Sequence, residues 1–438
     1  MTRKIHFISL GCDKNLVDSE AALACLDRAG FAVTDDEAAA DAVIINTCGF
    51  IEAAVKESID EIIAAAALRR ENGEKTLLIV TGCLVNRYRD EIRRNLPEID
   101  AVFPAGDFEG IIGELTRVFG ENAGAGLPAG FDPLENRMLS ALGASSYLKI
   151  AEGCDSRCTY CTIPKIRGPY RSRPMESLLR EARRLARGGV SELTLVAQDT
   201  ALYGADLYGK NSLAPLLRSL REIEGIEWLR LMYAYPEHLT PDAADALSDC
   251  ACHYLDMPVQ SGSGKILKLM GRQTSPEELR RAVYALREKM PDIALRTTFI
   301  TGFPGEGEAE FEESLRFMKE LRFDRVGAFA YSREEGTPAA LLPGQLSKFT
   351  KTRRRRRLMS LAGRLSEEKL RARTGLTLRV LTEGRLPDGA FLGRSFAEAP
   401  DVDGSVVFAS PRELMAGDFV NVKITKTSRH DMYGFISD

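Results

Sequence analysis

Nowhere in the 438 residues does an apolar run approach the roughly 20 residues that cross a bilayer, so no membrane partner is expected. The opening MTRKIHFISLGC carries too short an apolar stretch for a signal peptide, and a cytoplasmic location is the default expectation. Cysteine is scarce as well. Nine in the chain, an odd number, is too few for a disulfide scaffold, and clustered thiols in a reducing compartment point to metal or catalysis. Charge of one sign is also missing: the formal net charge of −4 gives no dominant affinity for nucleic acid or membrane, although a local basic patch is compatible with it. The length suggests two to four domains, at roughly 150 residues each.

The few cysteines present are not scattered. EGCDSRCTYC places Cys154, Cys158 and Cys161 within eight residues. Structural zinc takes four ligands, and the next candidates, His238, Cys250, Cys252 and His253, are far along the chain. A thioredoxin-type pair needs only Cys158 and Cys161 and leaves Cys154 without a role. Three thiolates suit a 4Fe-4S cluster whose fourth iron has no protein ligand and can bind a small molecule. Cys-x3-Cys-x2-Cys with Tyr160 before the last cysteine looks like the radical S-adenosylmethionine signature.

Upstream, IHFISLGC ends at Cys12, AVIINTC at Cys48 and TLLIVTGC at Cys83, each a β-rich apolar run followed by a short polar or glycine-containing end. Helical periodicity fills the gaps, from Leu16 to Gly30 and from Ile51 to Arg70. Alternation of strand and helix predicts a doubly wound parallel sheet, whose strands all end on one edge, where ligands bind. The three cysteines can therefore converge on a second cluster. The alternative is that they are small residues at tight turns beside Gly11, Gly49 and Gly82. Cys25 reads as helix core. Cys250 and Cys252 alternate beside His253, a weak zinc pattern against which buried packing weighs more.

The sheet domain is expected over residues 1–120 and a Gly/Ala/Pro linker over 121–139. Six further strand–helix units, starting at SYLKIAEGC and ending at RVGAFAYS, fit an incomplete (β/α) barrel over 140–369. Gln198, Gln260 and the Gly302 of GFPGE follow its strands and, with Tyr160, are candidates for contact with cofactor or substrate. KFTKTRRRRRLMSLAGRLSEEKLRAR (348–373) has eleven basic and two acidic residues, with Leu358, Leu361 and Leu365 as its packing stripe. Five consecutive arginines at 100° each surround a helix, so they cannot share one face; a solvated helix and a contact with RNA both remain open. Short strands and glycine turns over 370–438 predict a small antiparallel β-barrel; from Thr374 onward it carries seven basic and nine acidic residues.

Along almost its whole length the sequence resembles the methylthiotransferase family of radical S-adenosylmethionine enzymes. That resemblance implies an N-terminal domain with three cluster cysteines, a radical barrel and a C-terminal TRAM domain. It implies two 4Fe-4S clusters, one on Cys12, Cys48 and Cys83, the other on Cys154, Cys158 and Cys161. One S-adenosylmethionine gives the methyl group and another the radical, so that C–H becomes C–S–CH3. An electron donor and a sulfur source are implied, and nothing requires more than a monomer. GCDKNLVDSE, NTCGFIEAAVKESIDEI and CTIPKIRGPYRSRP look like the branch that modifies an aspartate β-carbon in protein twelve of the small ribosomal subunit. The slightly acidic C-terminal barrel suits a basic ribosomal protein. Ser261 in VQSGSG departs from the histidine expected there and looks like the other branch, which modifies a tRNA adenosine. A two-cluster electron-transfer protein and a radical methyltransferase without sulfur insertion are the readings from other classes.

Overall fold

The computed structural model describes residues 2–71, 75–120, 126–140 and 143–437; residues 121–125, inside the expected linker, lie outside them. The chain divides into two compact units. The first comprises residues 1–142 with 152–155 and 162–170, and the second the remainder.

In the first unit five parallel strands lie in the order Ala32–Val33, Lys4–Ser9, Ala42–Thr47, Leu77–Gly82, Ala101–Pro104. Helices Asp13–Arg28, Glu52–Glu71 and Cys83–Asn95 connect strands of this sheet, and Phe108–Phe119 follows the last of them. The AVII of this central strand, Ala42–Thr47, is apolar because both faces of the sheet are covered, and only its carboxyl end, Asn46 and Thr47, is polar. Ala42 and Ile44 pack with Cys25, Leu26 and Leu115 on one face, while Val43 and Ile45 pack with Ile62, Ala66 and Leu84 on the other. The order reverses between Lys4–Ser9 and Ala42–Thr47, and doubly wound sheets hold ligands at the carboxyl ends of strands at such a switch point.

The second unit begins with six parallel strands that neighbour one another in chain order: Ser145–Lys149, Glu192–Val196, Trp228–Leu231, Tyr254–Asp256, Ala294–Thr301 and Arg325–Ala330. This is the open, incomplete barrel expected from the six apolar runs. Helix Lys348–Arg371 packs on its last two strands and buries Leu358, Leu361 and Leu365. Cys252 is buried with Trp228 and Tyr254, and His253 pairs with Asp292 at 2.5 Å, so the Cys250–Cys252–His253 pattern is packing.

Strands Thr377–Arg385, Phe391–Ser395, Val406–Ala409, Phe419–Thr427 and Met432–Ile436 close into a barrel around Val380, Phe391, Phe408 and Val422. One ladder corrects the antiparallel expectation: Val406–Ala409 pairs in parallel with Met432–Ile436. A closed ring of five strands cannot alternate direction all the way round, so one pair has to run parallel. This barrel sits against the amino ends of the six-stranded sheet. Trp228 meets Phe419 edge-on at 4.9 Å, and Tyr254 donates to Asp403 at 2.8 Å.

The contact is fixed by a buried ion cluster. Glu192 accepts from Arg230 at 2.8 Å and from Arg394 at 2.6 Å, and all three are at most 2% exposed. Burial alone would raise the Glu192 carboxyl, but the two guanidiniums outweigh it and hold the pKa at about 2. A depressed carboxylate stabilises the fold above its unfolded value near 4.5, and that contribution is lost as pH falls from there to about 2. The interval corresponds to about 3 kcal/mol. Glu192→Gln leaves two buried cations short of a partner and is expected to cost about 3–5 kcal/mol. Urea unfolding at pH 7 and pH 3 checks both statements: acid should lower the wild-type midpoint further than that of the variant, in which only the other depressed carboxylates, such as Glu398, respond.

Candidate active site

The carboxyl ends of three strands in the first unit deliver Cys12, Cys48 and Cys83. Cys12 precedes helix Asp13–Arg28, Cys48 follows Thr47, and Cys83 starts helix Cys83–Asn95. Two glycines set how closely the loops approach. Gly11 has φ +97°, and a Cβ there would lie 2.9 Å from Cys48 Cβ. A Cβ on Gly49 would lie 2.8 Å from the Cys83 carbonyl oxygen and from the Leu84 backbone. Gly11 and Gly49 thus lie where the Cys12 and Cys48 loops, and the Cys48 and Cys83 loops, approach one another. The glycines are what let the cysteine loops touch.

Burial pushes the Cys48 thiol up, and pushes that of Cys83 up to about 11. Opposing this, the Arg167 guanidinium donates from Nε to Cys83 Sγ at 3.1 Å. Arg167 is itself held by Asp18 at 2.5 Å, Asn15 at 3.0 Å and Glu152 at 3.1 Å. All nine cysteines are free thiols. Burial makes Cys48 and Cys83 poor thiolates unless a cation joins them, and iron is such a cation. Among the described residues no group of three Cys, His, Asp or Glu side chains could hold a single metal ion. A cubane takes its thiolates on separate irons and so farther apart than one ion does.

Of the other cysteine triplet, Cys154 lies in the Glu152–Asp155 segment of the first unit, where its N–H donates to the Gly168 carbonyl at 3.1 Å. Cys158 and Cys161 lie in the Ser156–Cys161 segment of the second unit, where the Cys161 N–H donates to the Cys158 carbonyl at 3.1 Å. That segment is pinned to the barrel: Thr159 N–H donates to the Met270 carbonyl at 2.9 Å, and the Ala339 N–H to the Thr159 carbonyl at 2.9 Å. The Tyr160 ring stands edge-on to Phe303 at 6.3 Å.

Gln198 follows strand Glu192–Val196 by two residues. Gln260 bridges to Phe299, and its Oε1 is buried without a protein partner. Gly302 is needed for packing: its φ is +73°, and a Cβ there would lie 2.5 Å from Lys351 Cγ. Gln260 (φ 66°) and Tyr233 (φ 57°) hold left-handed backbone just beyond neighbouring strands, the kind of stored strain that gathers at functional rims. Sequence reasoning missed Arg272. It is buried, stacks on the Tyr235 ring at 4.1 Å and pairs with Glu237 at 2.9 Å, yet its Nε and Nη1 are left without partners. Nothing in GKILKLMGR sets Arg272 apart from Lys265 and Lys268.

Ser261 faces protein. Its hydroxyl lies 3.2 Å from that of Ser314 and accepts from Ser263 N–H at 3.1 Å.

Three segments of the chain match known families. Residues 148–318 match the radical SAM superfamily, 4–104 an uncharacterized protein family designated UPF0004, and 374–436 a TRAM domain. The ribosomal protein uS12 methylthiotransferase RimO of Lachnoclostridium phytofermentans is 46% identical over 437 residues, covering 98% of this chain and 99% of the relative. That of Acetivibrio thermocellus is 45% identical over 99% of this chain and 98% of its own length. Among solved structures, the radical S-adenosylmethionine methyltransferase TsrM of Kitasatospora setae matches with a TM-score of 0.56 at 16% identity, over 87% of this chain and 78% of that one. At that identity the likeness concerns the fold. No described helix is long and apolar enough to cross a membrane.

Proposed function

Since the chain belongs to the ribosomal protein uS12 methylthiotransferases of the radical SAM superfamily, we propose that it converts a C–H bond at an aspartate β-carbon of uS12 into C–S–CH3. The observation that carries this reading is the meeting of the Cys12, Cys48 and Cys83 loops at the switch point, in a chain that also has Cys154-x3-Cys158-x2-Cys161. An electron-transfer protein has no use for the buried polar atoms left open inside the six-stranded barrel.

Cys154, Cys158 and Cys161 would hold the 4Fe-4S cluster that superfamily membership implies, and Cys12, Cys48 and Cys83 a second one on which sulfur is handled. When bound, these groups and S-adenosylmethionine supply hydrogen abstraction, sulfur and the methyl group. The chain's own part is binding and orientation. Arg167 places a positive charge against Cys83 and favours its thiolate. Arg272, fixed by Glu237 and Tyr235, offers two unused N–H edges to a carboxylate. Gln260 Oε1 accepts from a donor on the cofactor or substrate, and Tyr160 and Phe303 wall off water. Gln198 and Gly302 belong to the same rim. Residues 1–120, 140–369 and 370–438 form the sulfur-handling, radical and TRAM domains, acting as a monomer in the cytoplasm with an outside electron donor and sulfur source.

The test is anaerobic. Reconstituted protein with reductant, sulfide and S-adenosylmethionine is offered small ribosomal subunits and tRNA together, and mass spectrometry locates the methylthio group. An aspartate of uS12 is expected, and a tRNA adenosine would overturn the reading. Arg272→Met removes a charge-assisted contact of about 1.5–3 kcal/mol, so kcat/KM for uS12 should fall about ten- to a hundredfold. Unchanged kcat/KM removes Arg272 from the site.

A further inference from the structure

The arginine run divides by function. Arg354 points inward and donates to the Glu306 carboxylate at 2.8 Å, and Arg357 pairs with Glu308 at 2.8 Å and Glu312 at 2.6 Å. Arg353 and Arg356 are exposed, as is Arg364 further along the same helix, and none of the three has an ion pair among the described residues. With the exposed Phe349 and Ser360 they stand at helix positions i, i+4, i+7, i+11 and i+15, which is one continuous stripe about 22 Å long. No acidic residue occurs from Lys348 to Ser366, so nothing on this stretch of helix neutralises the stripe.

Its position matters as much as its charge. The Lys351 carbonyl accepts from Thr301 Oγ1 at 3.4 Å, and Lys351 Nζ donates to the Tyr331 carbonyl at 3.1 Å. The start of the stripe therefore lies at the carboxyl ends of the last two barrel strands, the end of such a sheet that carries the reaction. The TRAM barrel packs at the amino ends, where Glu192 and Tyr254 begin their strands. A macromolecule presenting a residue to the barrel mouth meets the arginine stripe before it meets the TRAM barrel.

We propose that the stripe Phe349–Arg353–Arg356–Arg364 binds the phosphate backbone of RNA, so that the enzyme engages uS12 through the RNA-bearing small subunit. This rests on the function proposed above and names how its substrate is gripped. RNA is the occupant the observations favour: guanidiniums in a row without counter-charge match a polyanion, and an exposed aromatic at the end of the row suits stacking on a base. Free uS12, a basic protein, would be repelled by it.

The experiment uses the triple variant Arg353→Gln, Arg356→Gln, Arg364→Gln in the full-length reconstituted enzyme, with the corresponding triple lysine variant as the charge-retaining control. Binding to purified small subunits is measured by sedimentation across salt, and turnover is measured on subunits and on RNA-free uS12. Three lost phosphate contacts should reduce the log–log salt slope by about two to three, so that from 50 to 200 mM salt the wild type loses about sixteen- to sixtyfold more affinity than the variant. KM for subunits should rise, turnover on free uS12 should persist, and the lysine variant should behave as wild type. An unchanged salt slope overturns the proposal, as does an equal loss on both substrates, which would assign the stripe to protein contact. Should the wild type modify neither substrate, the function fails, and the binding arm still decides the stripe.

Discussion

Cys158→Ala is expected to end both S-adenosylmethionine cleavage and methylthio transfer, each by about a thousandfold or more, the scale seen when a group essential to the chemistry is removed. The reasoning starts from valence. Three thiolates hold three irons of a cubane and leave the fourth for the cofactor; with two, the protein no longer closes the set. Iron should fall from about eight to about four atoms per chain if the first cluster forms independently. Production of 5′-deoxyadenosine under dithionite checks the chemistry, and iron analysis checks the occupancy. Cys252→Ala is the matched control. Cys252 is 6% exposed in the core with Trp228 and Tyr254, so its loss should lower stability while iron content and cleavage stay at the wild-type level. Undiminished cleavage in Cys158→Ala would remove the triplet from the radical chemistry.

What the sequence made legible was local. A strand buried on both faces has to read as a β-rich apolar run, so the strands ahead of Cys12, Cys48 and Cys83 and the six barrel strands could be placed without coordinates. A thiol at the end of such a run is a chemical type that stands out. The rest depends on partners distant in the chain. Residues 162–170 belong to the first unit, and no periodicity announces that Arg167 will reach Cys83, 84 positions earlier. Arg272 is held by Glu237 and Tyr235 with two buried N–H edges unused, and Arg394 meets Glu192 across 202 residues. The left-handed backbone of Tyr233 and Gln260 is a property of the folded rim, not of residue type. For the same reason five identical arginines gave no hint that Arg354 and Arg357 would turn to Glu306 and Glu312 while Arg353 and Arg356 face outward.

Cys48→Ala should separate the two halves of the reaction. Cys48 lies between the other two loops: Gly11, beside Cys12, approaches its Cβ, and Gly49, beside Cys48, approaches the Cys83 backbone. On the proposed function, removing its thiol takes a ligand from the first triplet and leaves the Cys154–Cys158–Cys161 loop as it was. The expected outcome is cleavage of S-adenosylmethionine within about threefold of wild type, iron near four per chain and loss of methylthio product by about a thousandfold or more. That pattern is asymmetric with Cys158→Ala, which loses both activities, and the asymmetry excludes the competing readings. An electron-transfer protein would show no cleavage to preserve. A radical methyltransferase would still give a methylated product, because its N-terminal thiols would have no part in the chemistry. Arg167→Lys adds a graded version, since lysine keeps the charge and loses the fixed fork that joins Cys83, Asp18 and Asn15. Product formation should then fall further than cleavage does, with iron retained, because the first triplet would be complete but held less firmly.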